Sequence, residues 1–357
     1  MKNYRLLAAA IFLMQAIPYT RLYAQNGADS LLNFIQHNKN RSSLYLRQND
    51  TALAALNENK LMPLASTVKI LVAIEFAKQA AANVFSKDEQ VPVKELEKYY
   101  LADTDGDAYP KWLSYEKSMH HITDDSVKLI DVARGMIIFS SNANTEYLMD
   151  LLGFSNVQSN IQSLGLAPHT PVYPLVASLF FYQNPKHLSE DKIIKEIKGM
   201  SNESYAHAAF LIHLELKNDS NYKKKFRPQD LSLQMQKEWS DRLPASTTKA
   251  YVQLCSILNN RKYFSKETYS ILSTVLESSM ENPANAAWLD HAGMKGGSTI
   301  FVLTKALYAT LKDGAKIEMA YFFNDLTNEE NVRLQHWMND FELEALRDAA
   351  FRKKISF

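Results

Sequence analysis

Apolar and polar positions alternate along two short runs near the start of the chain, "SSLYLRQND" and "TALAALNEN", and this period of two predicts a pair of strands meeting at Asn49 and Asp50. Both residues suit a tight reversal, so the runs read as a hairpin. Beyond them the period lengthens. From "STVKILVAIEFAKQAAANV" to "SKETYSILSTVLESSM", apolar residues recur at i, i+3 and i+4, as in "SVKLIDVARGMIIF", "NTEYLMDLLG", "EDKIIKEIKGM" and "YAHAAFLIHLEL", which predicts a succession of helices. Strand-like composition returns in "STIFVLTKALYATL" and "KIEMAYFFNDL", split by the turn "KDGA". A closing helix follows, "NEENVRLQHWMNDFELEALRDA", opening on Asn328 and two glutamates. Strands at both ends with helices between imply an α/β (α+β) arrangement: a sheet closed by the two termini, with a helical lobe inserted. On this reading residues 25–63 and 282–357 form the sheet lobe and residues 64–281 the helical lobe. No internal repeat or low-complexity linker interrupts the pattern.

The first two dozen residues break the pattern. Lys2 and Arg5 precede the apolar run "LLAAAIFLMQAI", then come Pro18 and "RLYAQ", so residues 1–24 read as a secretory signal cleaved after about Ala24. The run is short for a bilayer span. Arg21 and Leu22 stand where small residues are usual at a cleavage site, so an uncleaved anchor is the alternative. The expected mature protein is periplasmic or secreted, with no integral membrane domain.

Composition narrows the classes. With 46% hydrophobic and 11% aromatic residues in 357, the chain can bury one large core or two packed lobes, and disorder is excluded. Forty basic side chains against thirty-nine acidic ones leave a formal charge of +1, and no basic run exceeds "KKK", so nothing calls for nucleic acid. The lone cysteine, Cys255, sits in the apolar stretch "AYVQLCSIL" and reads as core filler.

Candidate chemistry begins with "PLASTVKI". Ser66 and Lys69 are three apart on a helical stretch and share a face. Lysine serves as a base only when burial or nearby cations lower its pKa, and the apolar "ILVAIEFA" that follows suits a helix through the middle of a lobe. An echo, "PASTTKAY", places Ser246, Thr247 and Thr248 before another helical run, where short hydroxyls fit an N-cap cluster.

Two further stretches join Ser66 and Lys69. "FSSNANTEYLM" offers Ser140, Ser141 and Asn142 between two helices, and "HAGMKGGSTIFVL" offers Lys295, Gly296, Gly297 and Ser298 at the entrance to a strand. Read in order, "STVK", "SSN" and "KGG" resemble the S-x-x-K, S-D-N and K-T-G signature of the penicillin-recognising serine enzymes, and within them the class A β-lactamases. The resemblance covers most of the mature chain. It implies an antiparallel β-sheet flanked by N- and C-terminal helices beside an all-helical lobe.

The resemblance also assigns roles. Ser66 would attack an amide or lactam carbonyl, with Lys69 taking its proton directly or through water. Ser140 would pass a proton to the departing nitrogen, and Asn142 would hold Lys69 and a substrate amide. Lys295 would supply positive charge, Gly297 would let the strand backbone come close, and the amides of Ser66 and Ser298 would form the oxyanion hole. The expected partner is a small molecule, a β-lactam or peptidoglycan-like acyl amide, and no cofactor is expected. The alternatives are a D-alanyl-D-alanine peptidase or penicillin-binding-type enzyme, and an acyl-binding sensor without turnover.

Two departures stand out. Ser141 and Gly296 replace the family's Asp and Thr, leaving Ser298 or Thr299 to supply the lost hydroxyl. Residues 151–189 contain no Asp or Glu, although class A enzymes place their deacylating glutamate on a loop there. His169 is the substitute base the sequence offers, against a plain loop hydrogen bond. "YYLADTDGDAYPKWL" lacks the EF-hand spacing and reads as a turn-rich loop, with Tyr99 or Tyr100 positioned to stack on substrate. His120 and His121 are adjacent and should diverge, and His207 and His213 share no face, so no metal site is expected.

Overall fold

The structure is a computed structural model that describes residues 21–183 and 188–357. Residues 1–20 of the expected signal segment lie outside the described residues. The helix Arg21–His37 begins just after them. Among the described residues no helix is long and apolar enough to cross a membrane. The described residues divide into two compact units, one built from residues 68–163 and 169–245, the other from residues 21–67, 164–168 and 246–357.

The second unit carries a five-stranded antiparallel sheet. Its strands are β1 (Ser42–Gln48), β2 (Thr51–Leu56), β3 (Leu289–Ser298), β4 (Leu303–Leu311) and β5 (Lys316–Phe323), in the order β2-β1-β5-β4-β3. Asn49 and Asp50 turn the first hairpin with φ of 50° and 65°, the left-handed pair that matches the twist of the flanking strands. β1 pairs with β5 in the register Leu44↔Tyr321 and Leu46↔Met319, so strands far apart in the chain lie side by side in the sheet. Ile317, Met319, Tyr321 and Phe323 point to one face. There they join Leu44 and Leu46 under Leu31 and Ile35 of the Arg21–His37 helix and Leu334 and Phe341 of the Asn328–Arg347 helix. Each such side chain, fully buried, stabilises the fold by roughly 1.5–3 kcal/mol. Thr327, one residue ahead of Asn328, caps that last helix reciprocally with Glu330.

The opposite face of the sheet is covered by the helix Thr248–Asn260, where the Tyr251 ring meets Phe322 edge-on at 5.9 Å and Cys255 is fully buried. That helix and Lys266–Leu276 fall in the sheet unit, whereas the sequence pattern placed both in the helical lobe. Helical period alone cannot say which surface an amphipathic face covers. β3 is the strand the pattern did not predict. Its run "LDHAGMKGGS" mixes polar residues and glycines, and it forms an edge of the sheet.

The first unit is helical, with one short two-stranded ribbon, Gln90–Pro92 against Ser126–Lys128. Its axis is the helix Lys69–Ala81, in which ten of thirteen residues are buried. Leu129–Ile138, Asn142–Leu152 and Phe154–Ser163 pack around it. The buried Glu75 is held by Lys78 at 2.7 Å, Asn160 at 3.0 Å and Gln79 at 2.9 Å, so its charge is compensated inside the helix bundle.

Candidate active site

Ser66 lies in the short 3-10 turn Ala65–Val68, which runs directly into the helix Lys69–Ala81. The residue before it, Ala65, has φ of 45°, a left-handed conformation that costs a non-glycine residue roughly 1–3 kcal/mol and that collects at functional sites. Ser66 is half-buried between fully buried Ala65 and Thr67.

Within the sheet unit the turn 64–67 is locked to β3 and β4. Thr304 on β4 donates its hydroxyl to the Leu64 carbonyl at 2.8 Å and pairs with the Thr67 hydroxyl at 2.8 Å. A Cβ at Gly297 would stand 2.5 Å from both the Leu64 carbonyl oxygen and the Ser66 amide nitrogen, closer than real side chains come. Glycine is therefore required for the strand backbone to lie beside the Ser66 amide. At Gly296 a Cβ would meet nothing nearer than 3.4 Å, so no packing demand excludes a larger residue there. Lys295 is buried on β3, with its ammonium donating to the Gly296 carbonyl at 2.7 Å. Ser298 ends the strand, its hydroxyl donating to the Thr299 carbonyl at 3.2 Å. The Thr299 hydroxyl accepts the amides of Phe301 and Val302, so it serves the turn.

Within the helical unit Lys69, Ser140 and Asn142 meet. Lys69 is fully buried and donates to the Ser140 carbonyl at 2.7 Å and to Asn142 Oδ1 at 2.8 Å. Burial pushes its pKa down to about 7, against the opposing pull of the Asp105 and Glu146 carboxylates. A neutral lysine amine has two N–H donors and one lone pair. Both donors are used here, which leaves the lone pair to accept a proton. Ser140 also has a positive φ, 63°. Ser141, between Ser140 and Asn142, caps the helix Asn142–Leu152 by accepting the Asn144 amide.

Asp105 was legible only as part of a turn-rich loop, and that loop is what forms, with left-handed residues at Asp103, Gly106 and Asp107. Its carboxylate accepts the amides of Ala108 and Tyr109 at 3.2 Å each and that of Asn142, and burial raises its pKa against the attraction of Lys69. The acidic cluster in "DTDGD" was the visible signal, but which aspartate turns inward depends on the loop. Tyr99 cannot stack on substrate as expected, because it is buried flat against His213 at 4.8 Å. Tyr100 is half-buried and tilted against Tyr109 at 4.9 Å.

Glu146 was also missed. It is buried, with Oε1 accepting the Val176 amide at 2.6 Å and Oε2 bound to His213 Nδ1 at 2.8 Å. Burial pulls His213 down, but Asp150 and Glu146 outweigh it and raise its pKa to about 9. His169 hydrogen-bonds the Thr170 carbonyl at 2.6 Å, and burial lowers it to about 4.

The family model described as "Beta-lactamase enzyme family" matches residues 27–258. No curated protein matches the chain. Among solved structures, a β-lactamase from Chitinophaga pinensis is 17% identical with a TM-score of 0.52, covering 90% of this chain and 99% of its own. A β-lactamase from Sphaerobacter thermophilus is 17% identical at TM-score 0.55, over 90% of this chain and 96% of that one. A mutant of PBP-A, solved as an acyl-enzyme complex with penicillin G, is 14% identical at TM-score 0.52, over 90% and 96%. At these identities the likeness is one of fold.

Proposed function

From the premise that this chain belongs to the beta-lactamase enzyme family, we propose that it is an exported serine hydrolase that forms an acyl-enzyme on Ser66 with a β-lactam or a carboxylate-bearing acyl amide. The observation that carries the reading is the buried amine of Lys69, with both N–H donors engaged and a pKa near 7, one helical turn after a half-buried serine. In the proposed reaction Ser66 Oγ bonds to the carbonyl carbon while its proton passes to Lys69 Nζ. The amides of Ser66 and Ser298 hold the oxyanion, and such donors contribute about 3–4 kcal/mol each. As the C–N bond breaks, Ser140 delivers a proton to the nitrogen, and Lys295 supplies the charge that receives the substrate carboxylate. Water then hydrolyses the ester.

A second reading, a penicillin-binding-type peptidase that releases the acyl group slowly, is favoured by the deacylation side. Residues 151–189 contain no carboxylate. Glu146 has both oxygens engaged, and His169 is half-buried with its Nδ1 on a carbonyl. Lack of a general base typically slows a step by about 10²- to 10⁴-fold. Intact-mass spectrometry after mixing with benzylpenicillin and with a D-Ala-D-Ala peptide tests both readings. Rapid return to free mass with hydrolysed product supports the hydrolase, and a persistent penicilloyl adduct supports the peptidase. Neither adduct nor hydrolysed product from either donor overturns both. Export has its own check: the chain recovered from cells should begin at Gln25.

A further inference from the structure

The helical unit holds a second cluster of chemistry-bearing side chains, in which Lys69, Ser140 and Asn142 take no part. Glu116 near the end of the helix Ala108–Ser118, His121 just beyond it, and Asp131 in the first turn of Leu129–Ile138 bring one ligand atom each within 4.8 Å of one another. We propose that these three side chains form a binding site for a divalent transition-metal ion, with Zn²⁺ the best-matched occupant.

The local backbone is built to hold them. His120 takes φ of 57° and reverses the chain, and the His121 amide returns to the Glu116 carbonyl at 3.0 Å, so the imidazole folds back over the helix end. Trp112, one turn before Glu116, donates its indole N–H to the Asp131 carbonyl at 3.2 Å and ties the two helices at the cluster. His121 Nδ1 sits 2.7 Å from Glu116 Oε2, a hydrogen bond that an ion bound at about 2.0–2.2 Å would replace by moving the two donors apart to about 3.4 Å.

Two carboxylates stand close together in this cluster. Glu116 is 2% exposed, and the ring nitrogen beside it belongs to a histidine whose side chain is 41% exposed. Glu116 and Asp131 repel each other, and burial disfavours the charged form of both. Lys128 and Arg134 also attract Asp131, but Lys128 is shared with Asp88 at 3.8 Å. One imidazole nitrogen and two carboxylate oxygens make a borderline donor set that suits zinc, cobalt or manganese and disfavours calcium, which takes oxygens alone. The adjacent pair His120 and His121 showed nothing of this. Only the imidazole of His121 joins the cluster, and its partners stand five residues before and ten residues after it.

Isothermal titration of the chelator-stripped full chain with ZnCl₂ tests the site. One ion per chain is expected, with affinity weakened at least about tenfold in His121→Ala and in Asp131→Asn, both of which alter side chains outside the core. Co²⁺ loaded in place of zinc should give visible d–d bands that both variants lose. The proposal is overturned if the wild-type chain takes up no zinc at millimolar concentration, or if both variants bind as the wild type does. Circular dichroism of each variant separates a lost ligand from a lost fold.

Discussion

The chain contains nearly the same six residues twice, "LASTVK" ending at Lys69 and "PASTTK" ending at Lys249, and the two copies have opposite fates. In the first, the serine lies in a 3-10 turn behind a left-handed alanine, and the lysine is fully buried with two carbonyl acceptors. In the second, Ala245 and Ser246 form a short strand, Thr247 caps the following helix by accepting the Ala250 amide, and Lys249 is exposed. The Ser246 hydroxyl donates to the Pro168 carbonyl at 2.9 Å and is thereby committed. A lysine in water keeps its proton at neutral pH, whereas a desolvated one gives it up. Burial of the amine, more than the spacing of serine and lysine, separates the pair proposed to react from a helix cap.

The largest effect should come from the serines themselves. Ser66→Ala should abolish penicillin labelling, and Ser246→Ala should label as the wild type does; the reverse result in intact-mass spectra would exchange the roles of the two copies. Next, Lys69→Ala should slow acylation by about 10²- to 10⁴-fold, the usual loss for a general base, while Lys249→Ala leaves stopped-flow acylation rates unchanged. If both variants acylate alike, the contrast in burial has no catalytic meaning.

The pH profile sharpens the same contrast. With Lys69 near pKa 7, the free base is scarce below that value, so acylation should rise about tenfold per pH unit up to roughly pH 7 and then level. For folding, the sign is that of a depressed pKa. Lys69 binds a proton more readily in the unfolded chain, whose pKa is near 10.5, so its contribution is greatest above that value and declines as pH falls toward 7. Across pH 10 to 7 the denaturant midpoint of the wild type should fall relative to that of Lys69→Met, which has no amine to protonate. Further down in size, Gly297→Ala should cost about 1–3 kcal/mol through overpacking against the Ser66 amide, while Gly296→Ala folds normally. Smallest is Thr247→Ala, which removes an N-cap worth about 1 kcal/mol and should lower thermal stability without touching Ser66 labelling.

Much of this was readable along the chain. The hairpin at Asn49 and Asp50, the β4–β5 pair and the apolar Lys69 helix all follow from local periodicity and turn chemistry. β3 was not, because "LDHAGMKGGS" lacks a clean alternation and is fixed by pairing with β4. Thr304, Asp105 and Glu146 were equally invisible as parts of a site. Each acts on residues tens or hundreds of positions away, and no local pattern encodes such a partner.

The sequence by itself determined every strand of the main sheet but β3, the caps and the order of the three motifs, since these depend on neighbours within a turn or a hairpin. Only the tertiary structure decided which of two like motifs buries its lysine, which aspartate of "DTDGD" turns inward, and that His121 meets two carboxylates. Those outcomes depend on desolvation and on charges brought close by the fold, and both fall off over a few ångströms of space regardless of separation along the chain.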